Sequence, residues 1–179
     1  MDRKEVQKMI IGIDPGAKGG VACIIPYNRA MTDTDIFIAT AMPMKEPVKG
    51  RKPTVDVCAL SRILRGGEGE GWATDMVYLE NVHAMPRQGV SSTFQFGRTF
   101  GAIEAAIEMS RCQVTYVEPR VWKKHFGLKG NNKNASVEKA TELYGDDHWP
   151  TGPRGGQPHE GVAEAALIAT YGLETRERG

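Results

Sequence analysis

The sequence has few cysteines, no long apolar run and no strong excess of either charge. Three cysteines are spread over 179 residues, and none belongs to a Cys-x-x-Cys pair, which argues against a zinc site or a disulfide framework. Free thiols in a reducing cytoplasm are therefore expected. The apolar runs are far shorter than the ~20 residues of a membrane span. No signal peptide is visible, so no membrane partner is expected.

The overall composition is that of an ordinary globular protein. Hydrophobic residues make up 40% and charged residues 25% of the chain, which argues against disorder. The length predicts one domain over residues 1–179, with its core at about 8–174. The formal net charge of +1 does not by itself favour any class of binding partner, so the positions of the charges matter more.

Apolar runs and turn residues predict an α/β fold. Strands are predicted at 8–14, 19–25, 35–42, 76–82 and 113–117, and helices at 54–65, 91–110, 120–126, 136–144 and 160–173. Thr54 and either Ser91 or Ser92 are the predicted helix caps. Short connections make the first three strands antiparallel, and later β-α-β units extend the sheet in parallel. This order matches the ribonuclease H-like fold, a five-stranded mixed sheet flanked by helices.

Two predicted central strands each end in a carboxylate. Asp14 ends the apolar run of the first strand, and Glu80 follows Val-Tyr-Leu in the fourth. For Asp14 the alternative is a turn residue, since Asp-Pro-Gly is good turn chemistry. For Glu80 the alternative is an exposed residue on the polar face of its strand. Burial of a carboxylate is costly unless it is paired or bound to a metal.

The last predicted helix adds two more carboxylates and a histidine. Glu160 and Glu164 lie four residues apart and so share one helix face, where two like charges repel each other unless a cation bridges them. Capping of the helix dipole is the alternative role for Glu160. His159 is a candidate ligand, proton carrier or phosphate contact, and an ordinary loop histidine is the alternative.

Together the carboxylates predict a metal site. Oxygen-only ligands suit Mg²⁺ or Mn²⁺. Two such ions can activate a water molecule and stabilise the leaving oxygen of a phosphodiester. Asp14, Glu80, Glu160 and Glu164 are the predicted ligands, with His159 as a further candidate catalytic residue.

Three stretches of the sequence resemble a known family. These are Ile-Gly-Ile-Asp-Pro-Gly around Asp14, the residues from Glu80 to Arg98, and Glu-Ala-Ala-Leu-Ile-Ala from Glu164. They resemble RuvC-type Holliday junction resolvases, and the middle stretch, with Pro-Arg-Val-Trp-Lys-Lys at 119–124, resembles the short phage-type branch. The resemblance covers nearly the whole chain, roughly residues 9–173.

The resemblance implies a two-fold symmetric homodimer that cuts four-way DNA junctions by paired nicks, using divalent metal ions. Asp14, Glu80 and Glu164 match the family's acidic positions. Glu160 departs from the family pattern, which tends to place aspartate before this glycine. The extra methylene group of glutamate could displace a metal by about an ångström, a shift that matters for catalysis. A bacterial or phage-infected cell is the expected setting.

Basic residues are concentrated in the middle third of the sequence, as expected for phosphate neutralisation. A solvated loop is the alternative for any single lysine. Glycines and alanines on the helix at 91–110 suit a dimer seam, while Phe94 and Trp122 are expected in the core. The predicted DNA contacts are His83, Arg87, Gln88, Arg98, Lys123, Lys124, Lys129 and Lys133.

Three other functions compete with junction cleavage. One is a ribonuclease H-like nuclease acting on flaps, other branched DNA or RNA–DNA hybrids. Another is a junction-binding dimer with weak or no catalytic activity, which Glu160 makes plausible. A sugar-kinase-like phosphotransferase is disfavoured, because 179 residues leave no room for the second domain that such enzymes need.

Overall fold

The computed structural model describes residues 7–26, 36–46, 48–67, 72–83, 89–128, 134–145, 149–150 and 159–176. Five strands form one sheet: β1 (Gln7–Asp14), β2 (Gly20–Ile25), β3 (Ile36–Ala41), β4 (Trp72–Glu80) and β5 (Val114–Val117). The helices are α1 (Val57–Leu64), α2 (Val90–Met109), α3 (Pro119–His125), α4 (Ala135–Tyr144) and α5 (Glu160–Arg176).

The strand order in the sheet is β3-β2-β1-β4-β5. β1 pairs with β2, and β2 with β3, in antiparallel fashion. β4 is parallel to both β1 and β5. The predicted ribonuclease H-like fold, with three antiparallel strands extended by parallel ones, is therefore confirmed.

Successive side chains of β1 point to opposite faces of the sheet. Ile11 and Ile13 join a core with α1 and α2, whereas Ile10 joins the core beneath α5. Gly12 faces α5, and a Cβ atom built there would lie 2.2 Å from the backbone oxygen of Ala165. The helix therefore rests directly on the strand backbone. Because side chains alternate along a strand, Asp14 also points to the α5 face.

Several predicted helix and strand boundaries were wrong. Asp56, not Thr54, caps α1, since its side chain accepts a hydrogen bond from Ala59 N at 3.0 Å. Helix α2 begins at Val90 after Gly89 and has no side-chain cap, so neither predicted serine serves as one.

Strand β4 begins at Trp72, four residues earlier than predicted. Its first half contains polar Asp75, which pairs with Lys8 at 3.4 Å and also with Arg176. These ion pairs compensate for the partial burial of the carboxylate. The apolar pattern used to place the strand could not reveal them.

Two core predictions had opposite outcomes. Trp122 is fully buried, as expected. Phe94 is 71% exposed, so its expected core position was wrong.

The three cysteines are unpaired. Among the described residues, every helix is too short or too polar to cross a bilayer.

Candidate active site

Asp14 and Glu80 stand side by side at one edge of the sheet. They end β1 and β4, which are adjacent and parallel, and the residues just before them, Ile13 and Leu79, are register partners. Asp14 is partly buried, and Glu80 is only 5% exposed. The carboxyl ends of parallel strands thus bring together the two carboxylates predicted from the sequence.

Helix α5 adds acidic residues above these strand ends. Gly161 forms a bridge with Gly19, and a Cβ atom built at Gly161 would lie 2.8 Å from Asp14 Oδ2. The first turn of the helix therefore lies against Asp14. Glu164 is mostly buried, with 14% of its side chain exposed, whereas Glu160 is exposed at the rim.

Burial and the neighbouring carboxylates raise the pKa values of Asp14 and Glu80. Burial raises the pKa of Asp14 well above its usual value, the charges of Glu164 and Glu80 raise it further, and Glu160 adds a smaller contribution. The positive charge of Lys123 opposes this rise. Burial also raises the pKa of Glu80, and the charge of Glu164 adds to that effect. The site therefore favours a proton or a cation.

Three uncharged or basic side chains hold the carboxylates in place. Trp122 donates its indole N–H to Glu80 Oε1 at 2.9 Å, which lowers the pKa of Glu80 against the effect of burial. Ser136 donates to Glu164 Oε1 at 3.1 Å, and the Lys123 ammonium lies 2.9 Å from the same oxygen. Sequence reasoning missed the contacts of Trp122 and Ser136, because they join distant elements.

Lys123 belongs to the carboxylate cluster in the structure. Burial alone would lower the pKa of Lys123, but the hydrogen bond and charge of Glu164, with smaller contributions from Glu80 and Asp14, raise it. Its ammonium also lies 4.9 Å from the centre of the Trp122 ring. Lys123 is a predicted DNA contact, and in the structure its positive charge also balances the carboxylate of Glu164.

The donor chemistry of the site fits a hard divalent cation. Asp14, Glu80 and Glu164 offer oxygen ligands, and Lys123 supplies only one positive charge against their three carboxylates. The side chains are nevertheless not drawn together into a ligand cage. Within the described ranges, no three Asp, Glu, His or Cys side chains converge closely enough to hold a metal ion.

His159 immediately precedes α5 and is buried, with 6% exposure. Its carbonyl accepts hydrogen bonds from Val162 N and Ala163 N, so its backbone serves the helix terminus. Its Nδ1 atom is buried without a hydrogen-bond partner, and burial lowers the pKa of this imidazole. A neutral ring is the expected form, and its proposed catalytic role stays a prediction.

The predicted DNA contacts are only partly visible. His83 follows β4 and lies 3.4 Å from Glu118, which also accepts a hydrogen bond from Asn81 at 2.7 Å. Arg98 and Lys124 are exposed on α2 and α3, respectively. The remaining predicted contacts lie outside the described residues; they are Arg87, Gln88, Lys129 and Lys133.

Comparison with solved structures yields matches along almost the whole chain. The structure of Thermus thermophilus RuvC superposes with a TM-score of 0.58 at 17% identity, covering 95% of this chain and 96% of that one. This chain has a RuvC-like fold. T. thermophilus RuvC in complex with Holliday junction substrate gives a TM-score of 0.56 at 18% identity, again with 95% and 96% coverage. No protein-family model and no curated protein matches.

Proposed function

We propose that the protein is a metal-dependent endonuclease that resolves four-way DNA junctions by paired, symmetric nicks. One observation carries the proposal: Asp14 and Glu80 end adjacent parallel strands, with Glu164 close above them on α5. The RuvC-like fold supports it, because a RuvC of the same fold has been solved with a Holliday junction substrate. Assignment to the phage-type branch stays a prediction.

The carboxylates of this site would hold two Mg²⁺ or Mn²⁺ ions. Asp14, Glu80 and Glu164 are the principal ligands, and Glu160 at the rim completes the set. When bound, such ions supply Lewis acidity that favours hydroxide over water and stabilises the departing 3′ oxygen. Burial, together with repulsion from Glu164 and Glu80, raises the pKa of Asp14, and a bound cation would relieve that repulsion.

The chain's own residues orient these ligands. The Trp122 indole fixes one oxygen of Glu80, and Ser136 and Lys123 fix one oxygen of Glu164. Lys123 is 39% exposed and therefore also accessible to a phosphate at the mouth of the site. Burial of Glu80 and Trp122 limits the access of water to the inner side of the site.

We further propose a homodimer joined through α2. Val90, Phe94, Gly97 and Gly101 recur at helical spacing, and the first two are 87% and 71% exposed. A side chain built at either glycine would meet no atom within 4 Å. The exposed face of α2 is therefore apolar at its N-terminal end, and its middle carries glycines that leave room for a close neighbour. Such a face suits close packing against a second copy, and a two-fold dimer suits a symmetric junction.

Sedimentation measurements test the dimer. Phe94→Glu should shift the protein from dimer to monomer, because it places a charge in the apolar seam. Leu143→Glu is the matched control, since Leu143 is also exposed, at 41%, but lies on α4. A wild-type protein that sediments as a monomer at micromolar concentration would contradict the dimer.

Cleavage of a labelled synthetic four-way junction tests the activity. Wild type, Asp14→Asn and the surface control Glu142→Gln are each incubated with junction or linear duplex in Mg²⁺ and in Mn²⁺. We expect paired nicks on the junction alone from wild type and control, and none from Asp14→Asn. Glu142 is a fair control because its side chain is 68% exposed on α4.

The alternatives give different results. Equal cutting of RNA–DNA hybrids, flaps and junctions would favour a ribonuclease H-like nuclease of other specificity. Tight junction binding without cutting would favour the weakened enzyme. In that case Glu160→Asp should restore nicking if the length of the glutamate side chain is the cause.

A further inference from the structure

A groove beside the candidate active site is lined by basic residues that the sequence reasoning did not single out. It has a volume of about 510 Å³ and lies between the β1–β2 turn, the segment after β3 and the first turns of α2. Three lysines and one glutamate are among the residues that line it. The lining residues are Ala17, Lys18, Met44, Lys45, Glu46, Lys52, Pro53 and Gln95.

Backbone hydrogen bonds hold the segment that forms one wall. Lys45 N donates to Thr54 O at 2.8 Å and Asp56 N donates to Pro43 O at 2.8 Å, so the chain doubles back as a small hairpin. Met42 N donates to Gly19 O at 3.0 Å and ties this segment to the β1–β2 turn. The wall is therefore part of the folded scaffold.

Side chains of α2 fix the opposite wall. Gln95 Nε2 donates to Pro53 O at 2.8 Å, and Lys52 Nζ donates to Ser91 Oγ at 3.0 Å. Lys18 and Lys45 are exposed. Exposed lysines thus border a groove whose walls are held by hydrogen bonds within the chain.

The groove adjoins the carboxylate site. Lys18 lies in the turn that follows Asp14, and its carbonyl oxygen would be 2.3 Å from a Cβ atom built at Gly161. This turn is therefore packed against the first turn of α5, which carries Glu160. The β1–β2 turn therefore joins the groove to the carboxylate site, because it lines the first and packs against the helix that carries part of the second.

The chemistry of the lining matches a phosphodiester backbone. Lysine ammonium groups neutralise phosphates, while Ala17, Met44 and Pro53 offer apolar surface to sugar rings. Lys49 and Arg51, both exposed on the same loop, extend the positive charge beyond the groove. Glu46 is the one acidic residue in the lining.

We propose that this groove binds the phosphate backbone of the DNA arm that leaves the cleavage site. Lys18, Lys45 and Lys52 are the phosphate contacts. The proposal rests on the proposed function and extends it, because it assigns a path to one arm of the junction. It also places DNA contacts in the first third of the sequence, in addition to those predicted from the middle third.

The experiment compares two sets of charge-removing substitutions. One combines Lys18→Gln, Lys45→Gln and Lys52→Gln. The matched control combines Lys8→Gln, Arg65→Gln and Arg111→Gln, which removes the same charge at residues that do not line the groove. All carry Asp14→Asn, so that binding is measured without cleavage. The probe is a fluorescein-labelled four-way junction titrated in Mg²⁺ at several salt concentrations.

Counterion release sets the expected effect. Each phosphate contact contributes roughly 0.9 to the slope of log K against log salt, or roughly eightfold in affinity at 0.1 M salt. For the groove variant, the slope of log K against log salt should be smaller by roughly 2.7, whereas the slope for the control should change little. Replacement of the three lysines by arginine should retain binding. This conservative variant, together with unchanged thermal unfolding, separates lost contacts from misfolding.

The outcomes distinguish the two proposals. If the groove variant binds with the slope and affinity of the parent, the groove proposal is overturned and junction cleavage is untouched. The parent is the protein that carries Asp14→Asn alone. If it binds junctions but the unmutated protein does not cut them, the enzyme proposal fails, and the binding measurement still tests the groove proposal. If the parent binds no DNA, both proposals are overturned.

Discussion

Replacement of Asp14 by asparagine should make the protein more stable and inactive at the same time. Asp14 is a partly buried carboxylate whose pKa is raised well above its usual value by burial and by the charges of Glu164 and Glu80. Asparagine keeps nearly the same shape and removes the charge. Relief of such a destabilised site is typically worth about 0.5–2 kcal/mol. For a chain of this size, that gain raises Tm by about 1–8 °C.

The pH dependence of the gain identifies its cause. A carboxylate whose folded pKa is raised binds its proton more tightly in the folded state. Its stabilising effect is therefore fully present below the unfolded pKa, about 3.9, and is lost as pH rises through the folded pKa. The difference in the free energy of unfolding between Asp14→Asn and wild type should thus be largest above the folded pKa and should disappear near pH 4.

Thermal unfolding followed by circular dichroism at pH 8 and pH 4, with EDTA, is the assay. Glu142→Gln is the control and should change the free energy of unfolding by less than about 0.5 kcal/mol. Addition of Mg²⁺ at pH 8 should raise the Tm of wild type more than that of Asp14→Asn. An unchanged or lower Tm for Asp14→Asn at pH 8, or an equal gap at both pH values, would refute the electrostatic reasoning.

Three further substitutions test other contacts of the site. Trp122→Phe removes the donor to buried Glu80 and should cost about 1.5–3 kcal/mol in urea unfolding; a loss below 0.5 kcal/mol would show that the hydrogen bond matters little. Gly12→Val places a side chain against the α5 backbone and should cost about 1–3 kcal/mol or more, and wild-type stability would contradict the close approach. Lys123→Met removes the cation beside Glu164, so Mg²⁺ should raise its Tm more than that of wild type; an equal rise would count against the counter-charge role.

The fold was predictable because its strands and helices are marked locally. The run that ends at Asp14 is apolar and is followed by Pro-Gly, and the run before Glu80 is similar. Short connections then require antiparallel neighbours. Carboxylates at the ends of central strands and on one helix face were enough to identify Asp14, Glu80 and Glu164 as candidates.

The contacts that orient those carboxylates were not predictable from local pattern. Trp122 reaches Glu80 from α3, and Ser136 reaches Glu164 from α4, so both contacts depend on how helices pack over the sheet. Nothing in the spacing of these residues indicates the pairing. The same reason explains the groove: Lys18 and Lys45 come together only because the β3–α1 segment folds back beside the β1–β2 turn.

Phe94 shows the limit of helical periodicity. Helix α2 carries apolar or small residues on two faces, and only the face with Thr99, Ile103, Ala106 and Ile107 is buried. The sequence pattern alone does not distinguish which of the two faces packs into the core. The packing of the sheet decides between them, and it leaves Phe94 outside.

The close packing of α5 on β1 also bears on biosynthesis. The carboxylates of Asp14 and Glu164 belong to the first strand and the last helix, so a growing chain cannot assemble the site until α5 has left the ribosome. Until then Ile10 and Ile24, which α5 helps to cover, remain exposed to solvent. A chain truncated before α5 would therefore lack the assembled carboxylate site and would be prone to aggregate.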